Sequence, residues 1–447
     1  VVSLENKLQQ STSPVQMMRV APAARYDFQY PAEHSGWLDE QWAWKHTAVL
    51  FDQSFHMDDF IFKGPDVKRL MADTGINSFA NFGSNKAKQF VAVNHDGYVI
   101  GDAILFGFAD DEYHMVGAPM AGTWVTYQSE IGRYDVEVIR DARASDLRDR
   151  QLYRYQVTGP ATQDILEKAQ GSPLEPIKFF NMGQLNIAGK TVRALNHGMA
   201  KVPGQVDGLE LMGPAEDADT VLSAILEAGE EFGLRRGGSR AYGSTLAESG
   251  WFALPVPAIY TGEKMKPYRE WLPALSVEGM ASLDGSFVSD NIEDYYSTPW
   301  DLGYGHLIKF DHDFIGRKAL ESMAEQPHRK KVYLEWNNDD VGRVLTESLF
   351  NKEERPREID VPGSVGMFHF DQVTSGNRLI GVSWYTGYTF NNGCYVSLAL
   401  VDEADAQDGA EVVVVWGEQD GGVSKPKVQP HVQTQIRAML RTKSPAA

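Results

Sequence analysis

Four residues stand in surroundings where their side chains could do chemistry. They are Glu210 in Gly208-Leu209-Glu210-Leu211-Met212-Gly213-Pro214, Asp102 in Tyr98-Val99-Ile100-Gly101-Asp102-Ala103-Ile104-Leu105, His56 in Asp52-Gln53-Ser54-Phe55-His56-Met57, and Tyr242 in Gly238-Ser239-Arg240-Ala241-Tyr242-Gly243-Ser244. A carboxylate held away from water can meet a flat edge of two N–H donors with two parallel charge-assisted hydrogen bonds. A phenol, with a reference pKa near about 10, can share a proton with an oxygen of similar basicity. Each residue also has a plainer reading. Strand alternation between Leu209 and Leu211 can turn Glu210 to water, Asp102 can simply end a turn, His56 beside Phe55 and Met57 reads as a core histidine, and Tyr242 reads as a ring packed beside a Gly-rich turn.

Metal, redox and nucleotide chemistry find no residues to carry them. The lone Cys394 cannot form an intrachain disulfide and reads as a small apolar strand residue, and there is no Cys-x-x-Cys, His-Glu-x-x-His or calcium-loop pattern, so no metal site is expected. Arg236-Gly237-Gly238-Ser239 lacks the Lys-Ser/Thr pair of a phosphate loop, and Gly303-Tyr304-Gly305 lacks the third glycine of a dinucleotide fingerprint.

The elements that must position these residues are legible from periodicity. Gln89-Phe90-Val91-Ala92-Val93 and Ala103-Ile104-Leu105-Phe106 around His95-Asp96-Gly97 predict a hairpin. Val221, Leu222, Ile225, Leu226 and Ala228 form one stripe of a helix from Ala218 to Phe232 that stops at Gly233. A charged, Pro-containing stretch from Asn337 to Pro362 breaks the pattern, and beyond it Leu379 to Tyr385, Tyr395 to Val401 and Glu411 to Trp416 read as strands of a small, mostly β domain. The 447 residues, 43% of them hydrophobic, allow two or three domains with their own cores. A net charge of −19 argues against nucleic acid as a partner. No run of about 18 apolar residues is present to cross a bilayer, and the polar first 25 residues lack a secretory pattern, which points to the cytoplasm.

The segment Thr298-Pro-Trp-Asp-Leu-Gly-Tyr-Gly-His-Leu-Ile-Lys-Phe-Asp-His-Asp-Phe-Ile-Gly-Arg-Lys-Ala-Leu320 resembles a signature of the folate-dependent aminomethyltransferase family. Gln41-Trp42-Ala43-Trp44, Leu50-Phe51-Asp52-Gln53 and Tyr260-Thr261-Gly262 resemble a narrower branch, the tetrahydrofolate-dependent aryl-ether O-demethylases of lignin-degrading bacteria. The resemblance implies an α+β fold, a three-domain disc that holds folate at its centre and ends in a mostly β domain. It divides the chain into an N-terminal extension (1–36), a folate- and substrate-binding region (37–330) and a C-terminal β domain (331–447). Its implied cofactor is tetrahydrofolate. Its implied partner is a small methoxylated aromatic acid such as syringate, vanillate, 3-O-methylgallate or a chlorinated methoxybenzoate.

Carried over residue by residue, the resemblance makes Glu210 the partner of the pterin's donor edge. Asp102 becomes the second acid of a Gly-x-x-Asp-Asp hairpin whose first acid is here Gly101, and Gln89 and Trp251 become further cofactor contacts. Tyr242 falls at the branch's catalytic tyrosine, His56 at a histidine of the aromatic pocket, and Tyr26 near an N-terminal pocket tyrosine. Ala118 occupies the place of an arginine that clamps a benzoate carboxylate in vanillate-type enzymes, which leaves Arg240 as a candidate for that task. Lys309 and Arg317 of the signature are expected to be structural. Aminomethyl transfer, dimethylsulfoniopropionate demethylation and folate binding without catalysis remain as alternatives, although Asn392-Gly393-Cys394 lacks the Lys-Gly-Cys motif of the iron–sulfur assembly relatives.

Overall fold

In the computed structural model, residues 2–23, 29–197, 208–363 and 368–444 are described, so that Tyr26 lies outside the described residues. Two sheets and a barrel organise them. The first sheet has six strands, in the order Leu234–Gly237, Ala48–Asp52, Leu152–Thr158, Leu209–Pro214, Lys190–Asn196 and Met182–Ile187. The second has five, in the order Lys86–Val93, Val99–Ala109, Glu112–Gly117, Asp58–Lys63 and Glu137–Asp141. Its first two strands are the expected hairpin. The central strands Ala48–Asp52 and Leu209–Pro214 of the first sheet and Asp58–Lys63 of the second are buried on both faces along almost their whole length, as happens when both sides of a sheet are covered.

The helix Ala218–Gly229 buries Val221, Ile225 and Ala228 against the first sheet, then tightens through a 3₁₀ turn and ends at Gly233 in the left-handed region, as its periodicity predicts. Helix Pro119–Ile131 covers the second sheet with Met120, Ala121, Trp124 and Val125 buried. The N-terminal helices Leu4–Gln9 and Pro14–Arg19 add Leu4, Val15, Met17 and Met18 to the same core.

The last part of the chain forms a closed six-stranded antiparallel barrel around Val332, Leu334, Val373, Val414, Ile436 and Leu440. The barrel's first strand, Lys330–Trp336, precedes the charged stretch that reads as a break in the sequence. Half of that stretch is helical. Asn337 accepts hydrogen bonds from the backbone N–H groups of Asp339 and Asp340, and so starts the helix Asn338–Phe350, which buries Val341, Val344 and Ser348 at helical spacing. The abundance of charge marks the helix's outer face. Among the described residues, no helix is long and apolar enough to cross a membrane.

Candidate active site

The two sheets turn polar faces towards each other across a small apolar cluster of Phe106, Val116, Leu195 and Met212. In the second sheet, Gln89, Ile104, Val116, Asp59 and Asp141 are register partners in one row, so their side chains share a face. In the first sheet, Glu210 is the register partner of Gln156, and Arg154 lies two residues along the same strand, on the same face. Arg154 joins the sheets. Its guanidinium binds Asp59 across the gap, reaches Glu210 Oε1 at 3.1 Å and lies 4.9 Å from the centre of the Phe106 ring.

Glu210 is thus a buried carboxylate on a strand, only 5% exposed, and not on the solvated face that its neighbours allow. The flanking leucines pack on the opposite face, so alternation sends Glu210 into the gap rather than to water. Arg150 completes the charge network, with Asp59 at 2.7 Å and Asp141 at 3.2 Å. Three carboxylates therefore meet two guanidiniums, leaving one negative charge in excess. Glu210 Oε2, 3.7 Å from His197 Nδ1, is the oxygen that Arg154 does not occupy. Burial without full neutralisation favours a ligand that brings N–H donors.

Asp102 anchors a second cluster. Its Oδ2 accepts hydrogen bonds from Gln89 Nε2 at 2.5 Å, Tyr304 OH at 2.7 Å and Trp251 Nε1 at 3.0 Å. Burial raises its pKa to about 6, against the lowering effect of these donors. The sequence-expected cofactor residues Gln89, Asp102 and Trp251 are therefore brought together, and Tyr304 joins them from a segment whose Gly-rich signature reads as purely structural. Lys309 and Arg317 of that segment do have structural partners: Lys309 N–H donates to Ile76 and Arg317 pairs with Glu321 at 2.8 Å. Beside Asp102, a Cβ on Gly101 would lie 3.0 Å from the backbone nitrogen of Ala121, so that a side chain there would press on the start of helix Pro119–Ile131.

The third cluster surrounds Tyr242. The residue stands not in a turn but on the helix Ser239–Ser249, started where Gly238 lets the chain at Ala32 and Glu33 pass too close for any Cβ. Pro31 and Ala32 carbonyls accept from the N–H groups of Ser239 and Arg240, which the helix itself cannot satisfy. Tyr242 packs edge-on against Phe51, with ring centroids 5.0 Å apart. Its hydroxyl lies 3.0 Å from Gln53 Nε2, which also donates to Gln156 Oε1 at 2.9 Å, and 3.1 Å from His56 Nε2. Desolvation, with the charges of Arg143 and Arg150, lowers the His56 pKa to about 3, so the imidazole is neutral at any ordinary pH. Gln53 Oε1 is buried and has no hydrogen-bond partner among the described residues, leaving an acceptor for a ligand's donor. Gln156 links this cluster to the opposing Glu210.

Arg240 faces a different set of residues. Its guanidinium donates to the Val361 carbonyl at 2.9 Å, lies 3.5 Å from Glu33 and stacks over Trp37 at 5.3 Å. Ala118 caps helix Pro119–Ile131 and packs half-buried against the core. Sequence reasoning passes over Gln53, Gln156, Arg150, Arg154 and Tyr304. Gln53 lies within a quoted motif, but strand-borne arginines and glutamines carry no local mark of what they will meet.

Residues 11–255 match the GCVT N-terminal domain family. The chain is 44% identical to syringate O-demethylase from Sphingobium sp. (strain NBRC 103272 / SYK-6), over 92% of this chain and 88% of that protein. It is 29% identical to sesamin methylene transferase from Sinomonas sp. (strain No.22), over 88% and 87%. It is 26% identical to the aminomethyltransferase of Caldanaerobacter subterraneus subsp. tengcongensis, over 86% and 85%. Its fold is that of the glycine cleavage system aminomethyltransferase T from Bartonella henselae, with a TM-score of 0.63 at 17% identity over 96% of this chain and 95% of that one. The α+β, aminomethyltransferase-like architecture with a C-terminal β domain is therefore the one the chain has.

Proposed function

We propose that this chain, which belongs to the GCVT family, transfers the methyl group of a methoxylated aromatic acid to tetrahydrofolate, giving 5-methyltetrahydrofolate and a phenol. The observation that carries the reading is the buried Tyr242 hydroxyl held between Gln53 and His56, in a chain 44% identical to a syringate O-demethylase. When bound, tetrahydrofolate supplies the nucleophilic nitrogen that accepts the methyl group.

The residues present fit such a cofactor. Glu210 Oε2 is a buried acceptor in a network with excess negative charge, suited to a pterin's flat donor edge. Gln89, Asp102, Trp251 and Tyr304 form a second polar group on the facing sheet and the chain beside it.

An aryl methyl ether is hard to cleave because its leaving group is a phenoxide. Tyr242 answers that difficulty. With His56 in the tautomer that carries its proton on Nε2, the phenol oxygen accepts from His56 and from Gln53, and its own hydrogen is directed at the ether oxygen. As the methyl–oxygen bond breaks, that proton passes to the departing oxygen, and the two N–H donors stabilise the tyrosinate left behind. A neutral His56 suits the role, since burial and the nearby charges of Arg143 and Arg150 disfavour the imidazolium. Incubation without oxygen or NADH, with tetrahydrofolate and a panel of methoxybenzoates, tests the proposal. Formation of 5-methyltetrahydrofolate matched by phenol is expected. Its absence across syringate, vanillate and 3-O-methylgallate would overturn the assignment.

A further inference from the structure

The barrel reaches back to the Asp102 cluster through one side chain. Lys331 is the second residue of the strand Lys330–Trp336, whose alternate residues Val332 and Leu334 fill the barrel's interior. Alternation therefore turns Lys331 outward, towards the rest of the chain, where it is half-buried. Its ammonium donates to the Gly250 carbonyl at 2.8 Å and, over a longer 3.4 Å, to the Leu302 carbonyl, and it stands 5.8 Å from the centre of the Phe252 ring. It makes no ion pair among the described residues.

Both carbonyls belong to the segments that supply the partners of Asp102. The Gly250 carbonyl is part of the peptide bond that leads into Trp251, and Leu302 lies two residues before Tyr304. Trp251 Nε1 and Tyr304 OH both donate to Asp102 Oδ2 and lie 2.9 Å from each other. Tyr333, on the same face of the barrel strand as Lys331, presses on the same bend. Gly250 turns there in the left-handed region at φ 70°, and a Cβ on it would lie 2.0 Å from the Tyr333 hydroxyl. The Leu302–Gly303 peptide is held from its other end too, since Gly303 N–H donates to the Trp300 carbonyl at 3.0 Å. Two segments distant in sequence thus meet over one ammonium.

A half-buried ammonium without a paired carboxylate is costly unless a negative charge lies within reach. Burial pulls Lys331 below the ordinary lysine pKa, and the charge of Asp102 acts against that pull. The attraction is mutual, so Lys331 favours the ionised form of Asp102, although less strongly than the direct donors Trp251, Tyr304 and Gln89. Tyr304 and Tyr385 also feel the charge of Asp102, and burial keeps both phenols neutral. Lys331 is the cation of this set.

We propose that Lys331 is a positioning residue, which from the barrel fixes the peptide before Trp251 and the turn before Tyr304 and so sets the hydrogen-bond shell and the ionisation of Asp102. The consequence for methyl transfer rests on the proposed function, whereas the effect on Asp102 does not need turnover.

Carbon-13 NMR titration of the full-length protein, labelled at its aspartate carboxyl carbons and with the Asp102 signal assigned by its loss in Asp102→Asn, tests it in the wild type, Lys331→Met and Lys331→Arg. In Lys331→Met, Asp102 is expected to hold its proton about threefold or more tightly, which moves its midpoint up by about 0.5 or more on the pH scale, with Lys331→Arg near the wild type. The acid limb of kcat/KM should move with it. An Asp102 midpoint unchanged in Lys331→Met, even in a protein that melts earlier, would leave Lys331 a structural residue only and overturn the proposal, whether or not methyl transfer proceeds. If Lys331→Met does not fold, the same comparison in Lys331→Gln decides. A shifted midpoint in a protein whose wild type transfers no methyl group would keep the positioning role and remove the demethylase reading.

Discussion

Replacing Tyr242 by Phe deletes one oxygen and keeps the ring that packs against Phe51, so its effect isolates the hydroxyl. That oxygen makes two buried hydrogen bonds, to Gln53 at 3.0 Å and His56 at 3.1 Å. Losing them costs about 1–3 kcal/mol of stability, moderated because Gln53 keeps its bond to Gln156 at 2.9 Å. The fold therefore survives. Catalysis loses more, because among the described residues no other hydroxyl is placed between the same two donors, and removal of a general acid typically lowers the rate by about 10²–10⁴-fold, about 3–5 kcal/mol of barrier. Folate affinity is expected to stay near the wild-type value, since Glu210 and the Asp102 cluster are untouched. Single-turnover formation of 5-methyltetrahydrofolate, read by chromatography alongside folate titration, separates the two quantities. Turnover within about threefold of wild type, smaller than any general-acid contribution, would refute the role given to the phenol.

Asp102, with its pKa raised to about 6, is expected to give kcat/KM an acid limb below that pH, and Asp102→Asn should remove the limb. Its folded pKa lies above the unfolded one, so the stability it contributes is present in acid and is lost as pH rises through about 6. Asp102→Asn should then raise the melting temperature more at pH 8 than at pH 5, and the reverse order would contradict the burial argument. Arg154→Met leaves Glu210 buried without its guanidinium and Asp59 with Arg150 alone, and should cost about 3–5 kcal/mol in denaturant unfolding. A loss below about 1 kcal/mol would mean that water already screens the network. Glu210→Gln should weaken tetrahydrofolate binding by about 10- to 100-fold in calorimetry, as expected for hydrogen bonds to a charged group worth about 1.5–3 kcal/mol, while leaving benzoate binding unchanged. Equal weakening of both ligands would point to a structural effect instead.

Local pattern alone determined the hairpin that carries Gln89 and Asp102, the helix stopping at Gly233 and three of the six barrel strands. The family resemblance singled out Glu210, Asp102, Tyr242 and His56, each of which local pattern alone leaves with a plainer reading. Neither decided whether Glu210 meets water or the gap between the sheets, nor that residues 239–249 are a helix rather than a turn. Those outcomes hang on packing against strands and segments far away in sequence. The partners were least legible. Tyr304 lies 202 residues from Asp102, Gln53 lies 103 from Gln156, and Arg154 lies 95 from Asp59. Hydrogen bonds and ion pairs are short-ranged, so only the register of the sheets and the passage of one chain segment across another can bring such groups within about 3 Å. A residue's type states what it can donate or accept, and the tertiary structure supplies what stands opposite.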